Sequence, residues 1–247
     1  MKYLFTVDFM GTPYSGWQVQ PGERTVQGVL EEKMSMLLRA PISIIGCGRT
    51  DAGVHARDYA FSAELQPGDE KDFLYHLNAV LPADIAVKEM EPKPGDFHAR
   101  FDALSRSYVY HIHGKKDPFL TGTSWYLKGY EKLDFDRMRE ASLLISKYEN
   151  FYPFCKSGHD AKTYRCVIMD SRLVIDAASS TISYHIKANR FLRGMVRLIT
   201  GMLVQVGLGQ VSIEEVSEAL ERQKRLAKPL SAPAHGLFFS GAKYPND

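Results

Sequence analysis

The chain has 247 residues, 45% of them hydrophobic, enough to bury a sizeable core as one large domain or two small ones. Its formal charge of +2 conceals an asymmetry: residues 1–103 carry 10 basic and 15 acidic side chains, and the remainder carries 21 and 14. The longest apolar uncharged run, Leu198–Ile213, contains two Gln and three Gly and is shorter than the ~20 apolar residues that span a bilayer, which argues against a membrane-spanning protein.

Tyr3, Phe5, Val7 and Phe9 alternate with Leu4, Thr6 and Asp8, which predicts a half-buried strand. A Gly- and Pro-rich stretch covers 10–24. Thr25 then caps a predicted helix with Val26, Val29, Leu30, Met34 and Leu37 on one stripe, ended by Pro41. Strands are expected at Ile42–Cys47 and Tyr59–Leu65, a helix around Phe73–Val80, and a strand at Ile85–Met90. The order is β-α-β-β-α-β. The second half repeats it, with strands at 108–112, Cys166–Ile175, Thr181–Lys187 and Leu237–Tyr244. Its helices are expected at Phe135–Ser146 and 190–205, with an extra one capped by Ser212. Each half matches the split βαβ, ferredoxin-like pattern, with the boundary near Ala103–Ser105. Loops 10–24, 114–130 and 148–162 are longer than plain turns need.

Three cysteines, Cys47, Cys155 and Cys166, without a CxxC pair predict a reduced, intracellular chain. Cys155, His159 and Cys166 are too loosely spaced to make a convincing metal site, and no metal is expected. Met1-Lys2 leads directly into a strand pattern with no signal peptide, so a cytoplasmic location is expected.

Chemistry concentrates in a few places. Gly46, Gly48 and Gly53 surround Arg49 and Asp51, and glycines let a loop present charged side chains to a ligand. A solvated Arg–Asp surface hairpin has the same composition. On a helix over 190–205, Arg190, Arg193 and Arg197 fall on one stripe, suited to forked phosphate contacts or to a plain basic face. Gly194 and Gly201 flank that stripe and permit close approach. Tyr14, Trp17, Gln18, Gln20 and Arg24 suit base stacking and edge contacts, while burial explains the two aromatics equally well. Tyr108 is likewise a pocket or a core residue.

These motifs assemble into a pattern. The segments Gly11–Gln18, Thr25–Gly28, GRTDAGVHA at 48–56 and FHARF at 97–101 resemble the tRNA pseudouridine synthase A (TruA) family. So do Arg106-Ser107-Tyr108, Asn189-x-Phe191 running to Arg197, Ala232–Leu237 and Tyr244-Pro245. The resemblance spans nearly the whole chain in order. It implies an α+β pseudouridine synthase fold, with two βαββαβ halves sharing a mixed, mostly antiparallel sheet around a central cleft. It implies Asp51 as catalytic carboxylate, Tyr108 stacked on the target uracil, Arg197 as the basic partner of the aspartate, and Leu237 as an apolar wall. Arg49 is implied as an RNA contact that fills the space of the extruded base; Arg190 and Arg193 are expected to hold phosphates. The implied activity is isomerisation of uridine at positions 38, 39 and 40 of the tRNA anticodon arm, by a homodimer without cofactor. Whether Asp51 attacks as a nucleophile or removes a sugar proton stays open.

The chain departs from the family pattern at Met10, where an Asp is usual, and at Arg57-Asp58-Tyr59, whose added negative charge is expected to tune RNA contact. Two other readings compete. A catalytically silent tRNA-binding protein of the same fold would bind without releasing tritium from C5 of uridine. A carboxylate hydrolase would need a second tuned carboxylate, and no motif supplies one.

Overall fold

The computed structural model describes residues 1–66, 68, 71–156 and 162–245. The chain forms two compact units, one of Met1–Leu104 with the residues from Phe238 onward, the other of Ser105–Leu237.

The first unit contains β1 (Lys2–Phe9), α1 (Val26–Leu38), β2 (Ile45–Gly46), β3 (His55–Glu64), α2 (Phe73–Val80) and β4 (Ile85–Lys93). Its strands lie in the order β4-β1-β3, with β2 antiparallel on β3, which is the split βαβ arrangement that the periodicity predicts. Phe5 and Phe61 stack at 4.8 Å in its core, and Trp17 packs on Tyr59 at 4.1 Å. Thr25 caps α1 by accepting from the Gly28 amide, and Val26, Val29, Leu30 and Met34 are buried as the stripe predicts.

The limits of the two strands beside the 46–55 loop differ from expectation, each set by a partner outside the strand. The strand expected over Ile42–Cys47 shrinks to two residues because α1 side chains take its backbone groups. The Ile42 amide donates to Ser35 Oγ and the Ile44 amide to Glu31, while Gln27 donates to the Ile44 carbonyl. β3 begins at His55, four residues before the expected start, because Ala56 and Tyr59 pair with Phe9 and Val7 across a bulge. Asp58 forms the bulge in the left-handed conformation, φ 53°. Its amide donates to Asp8, and its carboxylate is ion-paired with Lys88, which also reaches Asp8 at 3.2 Å. The added charge is thus ion-paired within the unit, at the bulge that shifts the strand register.

The second unit contains β5 (Ser105–His113), β6 (Trp125–Tyr126), α3 (Phe135–Ile145), β7 (Ile168–Asp176), β8 (Thr181–Ala188), α4 (Met195–Gly207) and α5 (Ile213–Glu221). β8 lies between β5 and β7 and is antiparallel to both, and β6 runs parallel to β5. Ser212 and Glu215 form a reciprocal capping box on α5. α4 starts at Met195, five residues later than the periodicity suggested. Gly194 takes φ 70°, and the Arg193 carbonyl accepts from the Lys156 amide instead of from a helical one. Arg190 and Arg193 therefore precede the helix and share no helical stripe with Arg197.

The last strand, β9 (Leu237–Lys243), was expected in the second half. It pairs in parallel with β3, His55 against Phe238 and Ala56 against Phe239, so Phe238 onward belongs with the first unit. The architecture is α+β, with parallel pairing confined to β3–β9 and β5–β6 among the pairings above.

Candidate active site

In the first unit, Asp51 sits on the loop between β2 and β3, half-buried, between buried Thr50 and exposed Ala52. Main-chain geometry holds it there. The Asp51 carbonyl accepts from the Val54 amide at 3.2 Å, closing a tight turn whose third residue, Gly53, has φ 77°. That left-handed position favours glycine. On the β2 side, the Tyr59 hydroxyl donates to the Gly48 carbonyl at 2.5 Å and accepts from the Gly48 amide at 3.3 Å.

The Gly- and Pro-rich stretch at 10–24 braces this loop from beneath. Trp17 N–H donates to the Thr50 carbonyl at 3.4 Å, Gly53 N–H to the Tyr14 carbonyl at 3.2 Å, and Gly11 N–H to His55 Nδ1 at 2.9 Å. A Cβ on Gly11 would stand 1.9 Å from the Val54 carbonyl oxygen; one on Gly16 would stand 2.3 Å from that of Thr50. Two glycines are thus required by the approach of one backbone to another. Tyr14 and Trp17, 3% and 2% exposed, are packing residues rather than a stacking platform. The Tyr14 hydroxyl donates to Asp84 at 2.7 Å, and burial holds its pKa above the ordinary phenol value.

Arg49 is exposed on the same loop, and a Cβ at neighbouring Gly48 would meet open space. The Thr50 hydroxyl is buried and finds no partner among the described residues. A buried unpaired hydroxyl costs about 1–3 kcal/mol. Thr50→Val, nearly the same shape, is therefore expected to raise the melting temperature, and a calorimetric scan that showed a fall would contradict this.

In the second unit, Tyr108 lies on β5, 9% exposed, with its ring edge-on to Phe191 at 5.1 Å. Arg197 lies on the first turn of α4. Its Nε donates to the Ala232 carbonyl at 2.7 Å, and its own carbonyl accepts from the Ala232 amide at 3.0 Å. One and two turns on, Gly201 lets the Leu230 carbonyl approach, 1.9 Å from where a Cβ would stand, and Gln205 donates to the Lys228 carbonyl at 2.9 Å. The stripe at i, i+4 and i+8 that organises α4 is thus Arg197, Gly201 and Gln205, each gripping the 228–232 connector. Sequence reasoning found Arg197 and Gly201 but assigned them to an arginine stripe. The 4-residue spacing was the available signal, and nothing local announces which backbone it meets.

The connector leads to Leu237, 5% exposed. The Tyr110 hydroxyl fixes it by donating to the Pro233 carbonyl at 2.7 Å, and Gly236 admits the Tyr110 ring, 2.6 Å from a Cβ position. Burial raises the Tyr110 pKa, with Arg197 acting in the opposite direction. Arg190 is half-buried and Arg193 exposed, both in the segment before α4. Cys155 and Cys166 are buried thiols, and burial pushes Cys166 up to about 11 and raises Cys155 against the pull of Arg225, Arg190 and Arg193. Burial thus favours the neutral thiol at both positions. His159, the third member of the loose metal reading, lies outside the described residues. Among those described, no group of three His, Cys, Asp or Glu side chains is placed to hold a metal ion.

The family model for tRNA pseudouridine synthase matches residues 6–102 and 148–245. A Porphyromonas gingivalis protein named tRNA pseudouridine synthase A is 42% identical, covering 100% of this chain and 98% of its own. Its namesake from Parabacteroides distasonis is 39% identical, over 100% and 97%. The chain belongs to the tRNA pseudouridine synthase family. Membership makes it an isomerase that converts uridine to pseudouridine with no atom gained or lost. A further synthase A, from Geobacter sp. strain M21, is 39% identical over 97% of each chain. Asp51 and Arg197 fall within the stretches matched by the synthase model, and Tyr108 falls in the interval between them. Among the described residues no helix is long and apolar enough to cross a membrane.

Proposed function

We propose that this synthase isomerises uridine at positions 38, 39 and 40 in the anticodon arm of tRNA, with Asp51 as the catalytic carboxylate. The observation that carries the reading is the position of Asp51 in a turn fixed by backbone hydrogen bonds from a second loop, within the GRTDAGVHA motif. A single carboxylate held in this way suits a reaction in which atoms are rearranged within one nucleotide. The N1–C1′ bond breaks, the base turns, C5–C1′ forms, and the C5 hydrogen leaves as a proton while N1 gains one. Asp51 acts either by attack or by taking a sugar proton.

Arg197 is the basic partner of the aspartate. Its support is the double anchoring to Ala232, which gives the guanidinium a fixed origin. Tyr108 holds the detached uracil, in keeping with its nearly buried ring, and Leu237 supplies an apolar wall that retains the base. Arg49, exposed on the catalytic loop, occupies the space the extruded base leaves. The first unit then supplies the catalytic loop, and the second the basic segment and pocket wall. The protein acts in the cytoplasm, in keeping with a sequence that has no CxxC pair, and as a homodimer, a reading that rests on the family resemblance.

Tritium release from 5-labelled uridine in tRNA tests the activity, and mapping pseudouridine in cells lacking the protein tests the positions. Release with 38, 39 and 40 left unmodified in wild-type cells would refute the assigned site. Arg190 and Arg193 hold backbone phosphates without reading sequence. Arg193→Ala is expected to weaken tRNA binding and lower the slope of log affinity against log salt by about 1. An unchanged slope removes Arg193 from the phosphate footprint.

A further inference from the structure

The FHARF segment at 97–101 takes no part in the chemistry above, yet its turn is built in detail. The Phe97 amide donates to the Pro94 carbonyl at 3.0 Å, and Asp102 accepts from the His98 amide at 2.7 Å. His98 Nδ1 accepts from the amides of Arg100 and Phe101, at 3.2 and 3.3 Å, so the ring proton sits on Nε2. The Tyr244 hydroxyl anchors the turn from below through the buried Ala99 carbonyl, at 2.7 Å. All this fixes the backbone around a side chain that is not buried. Phe101 is 74% exposed, with the His98 ring 4.2 Å away at 32° and the Arg100 guanidinium 5.7 Å from its ring centre.

Burying Phe101 would be the ordinary way to use it, and a flexible exposed side chain would not need such a set of hydrogen bonds beneath it. A held aromatic ring with a guanidinium and an imidazole beside it matches one ligand chemistry well. An unpaired nucleobase stacks on rings and guanidinium planes, and its phosphate takes the positive charge. The asymmetry of charge sharpens the point, since this cation–π pair stands on the more acidic part of the chain.

We infer that Phe101, flanked by His98 and Arg100, is a second RNA contact that stacks on an unpaired base of the tRNA other than the uridine being isomerised. The inference rests on tRNA being the substrate and leaves the roles of Asp51, Tyr108 and Arg197 unchanged.

The test uses the full-length protein and unmodified tRNA transcript. Phe101→Ala is expected to weaken tRNA binding roughly 5- to 150-fold, the range of one base–aromatic stack. Phe101→Trp restores affinity and Phe101→Leu does not, because a flat π surface is required rather than apolar bulk. The indole of Phe101→Trp is quenched by tRNA, read as the difference from the parent with its own Trp17 and Trp125, and is not quenched by a fully paired RNA duplex. Parent-like binding by Phe101→Leu would overturn the inference. So would an indole that saturating tRNA leaves unmoved, or equal quenching by the duplex. A change of oligomeric mass in Phe101→Ala at unchanged tRNA affinity would assign the turn to protein contact and also overturn it. Quenching is read from binding alone, so a parent that binds tRNA but releases no tritium refutes the proposed catalysis and not this contact.

Discussion

Asp51→Asn is expected to lose turnover by about 10⁴-fold while keeping the fold and tRNA affinity within a few-fold. The substitution keeps shape and removes charge. Three of the contacts that hold the loop are made by the main chain: the Asp51 carbonyl to Val54, the Thr50 carbonyl to Trp17, and the Gly53 amide to Tyr14. None depends on the carboxylate. Stability and binding report on the scaffold, and tritium release reports on the reaction. An Asp51→Asn variant that still releases tritium at a near-parental rate would remove Asp51 from the reaction, and with it the proposed mechanism.

Gly16→Ala is expected to damage both stability and rate, although residue 16 is 35 positions away from Asp51. Gly16 has φ 89°, where an L side chain costs about 1–2 kcal/mol, and its Cβ would press the Thr50 carbonyl at 2.3 Å. Relieving that clash adds roughly 1–3 kcal/mol and moves the residue beside Asp51. A displacement of about 1 Å at a catalytic group can cost about 10²-fold in rate. Thermal melts and single-turnover tritium release measure the two effects. Gly22→Ala is the control, since Gly22 is also left-handed, φ 76°, but its Cβ meets nothing within 4 Å. It should lose some stability and little rate. Equal rates for the two variants would show that the 10–24 loop does not brace the catalytic turn.

Much of this protein was legible in its residues. Alternation marked β1, the Thr25 cap and apolar stripe marked α1, and the Ser212 cap marked the start of α5, because each reflects a local preference of backbone or side chain. The motif around Asp51 and its family resemblance named the reaction before any fold was known. Where periodicity misled, the deciding partner was distant in the chain. Phe191 and Leu192 continue the apolar pattern of α4, but the Arg193 carbonyl is taken by the Lys156 amide and the helix waits until Met195. Ile42–Ile44 has strand composition, but Ser35, Gln27 and Glu31 take its backbone groups first.

From the residues alone came the element order and the caps, and the family resemblance they carry pointed to the reaction. Tertiary structure alone decided that Gly11 and Gly16 lie beneath the Asp51 turn, that Arg197, Gly201 and Gln205 grip one connector, and that the last strand joins β3. The reason is physical. Periodicity and capping depend on neighbours within a few residues, whereas a backbone hydrogen bond or a glycine contact depends on which remote segment arrives opposite, and no local pattern encodes that meeting.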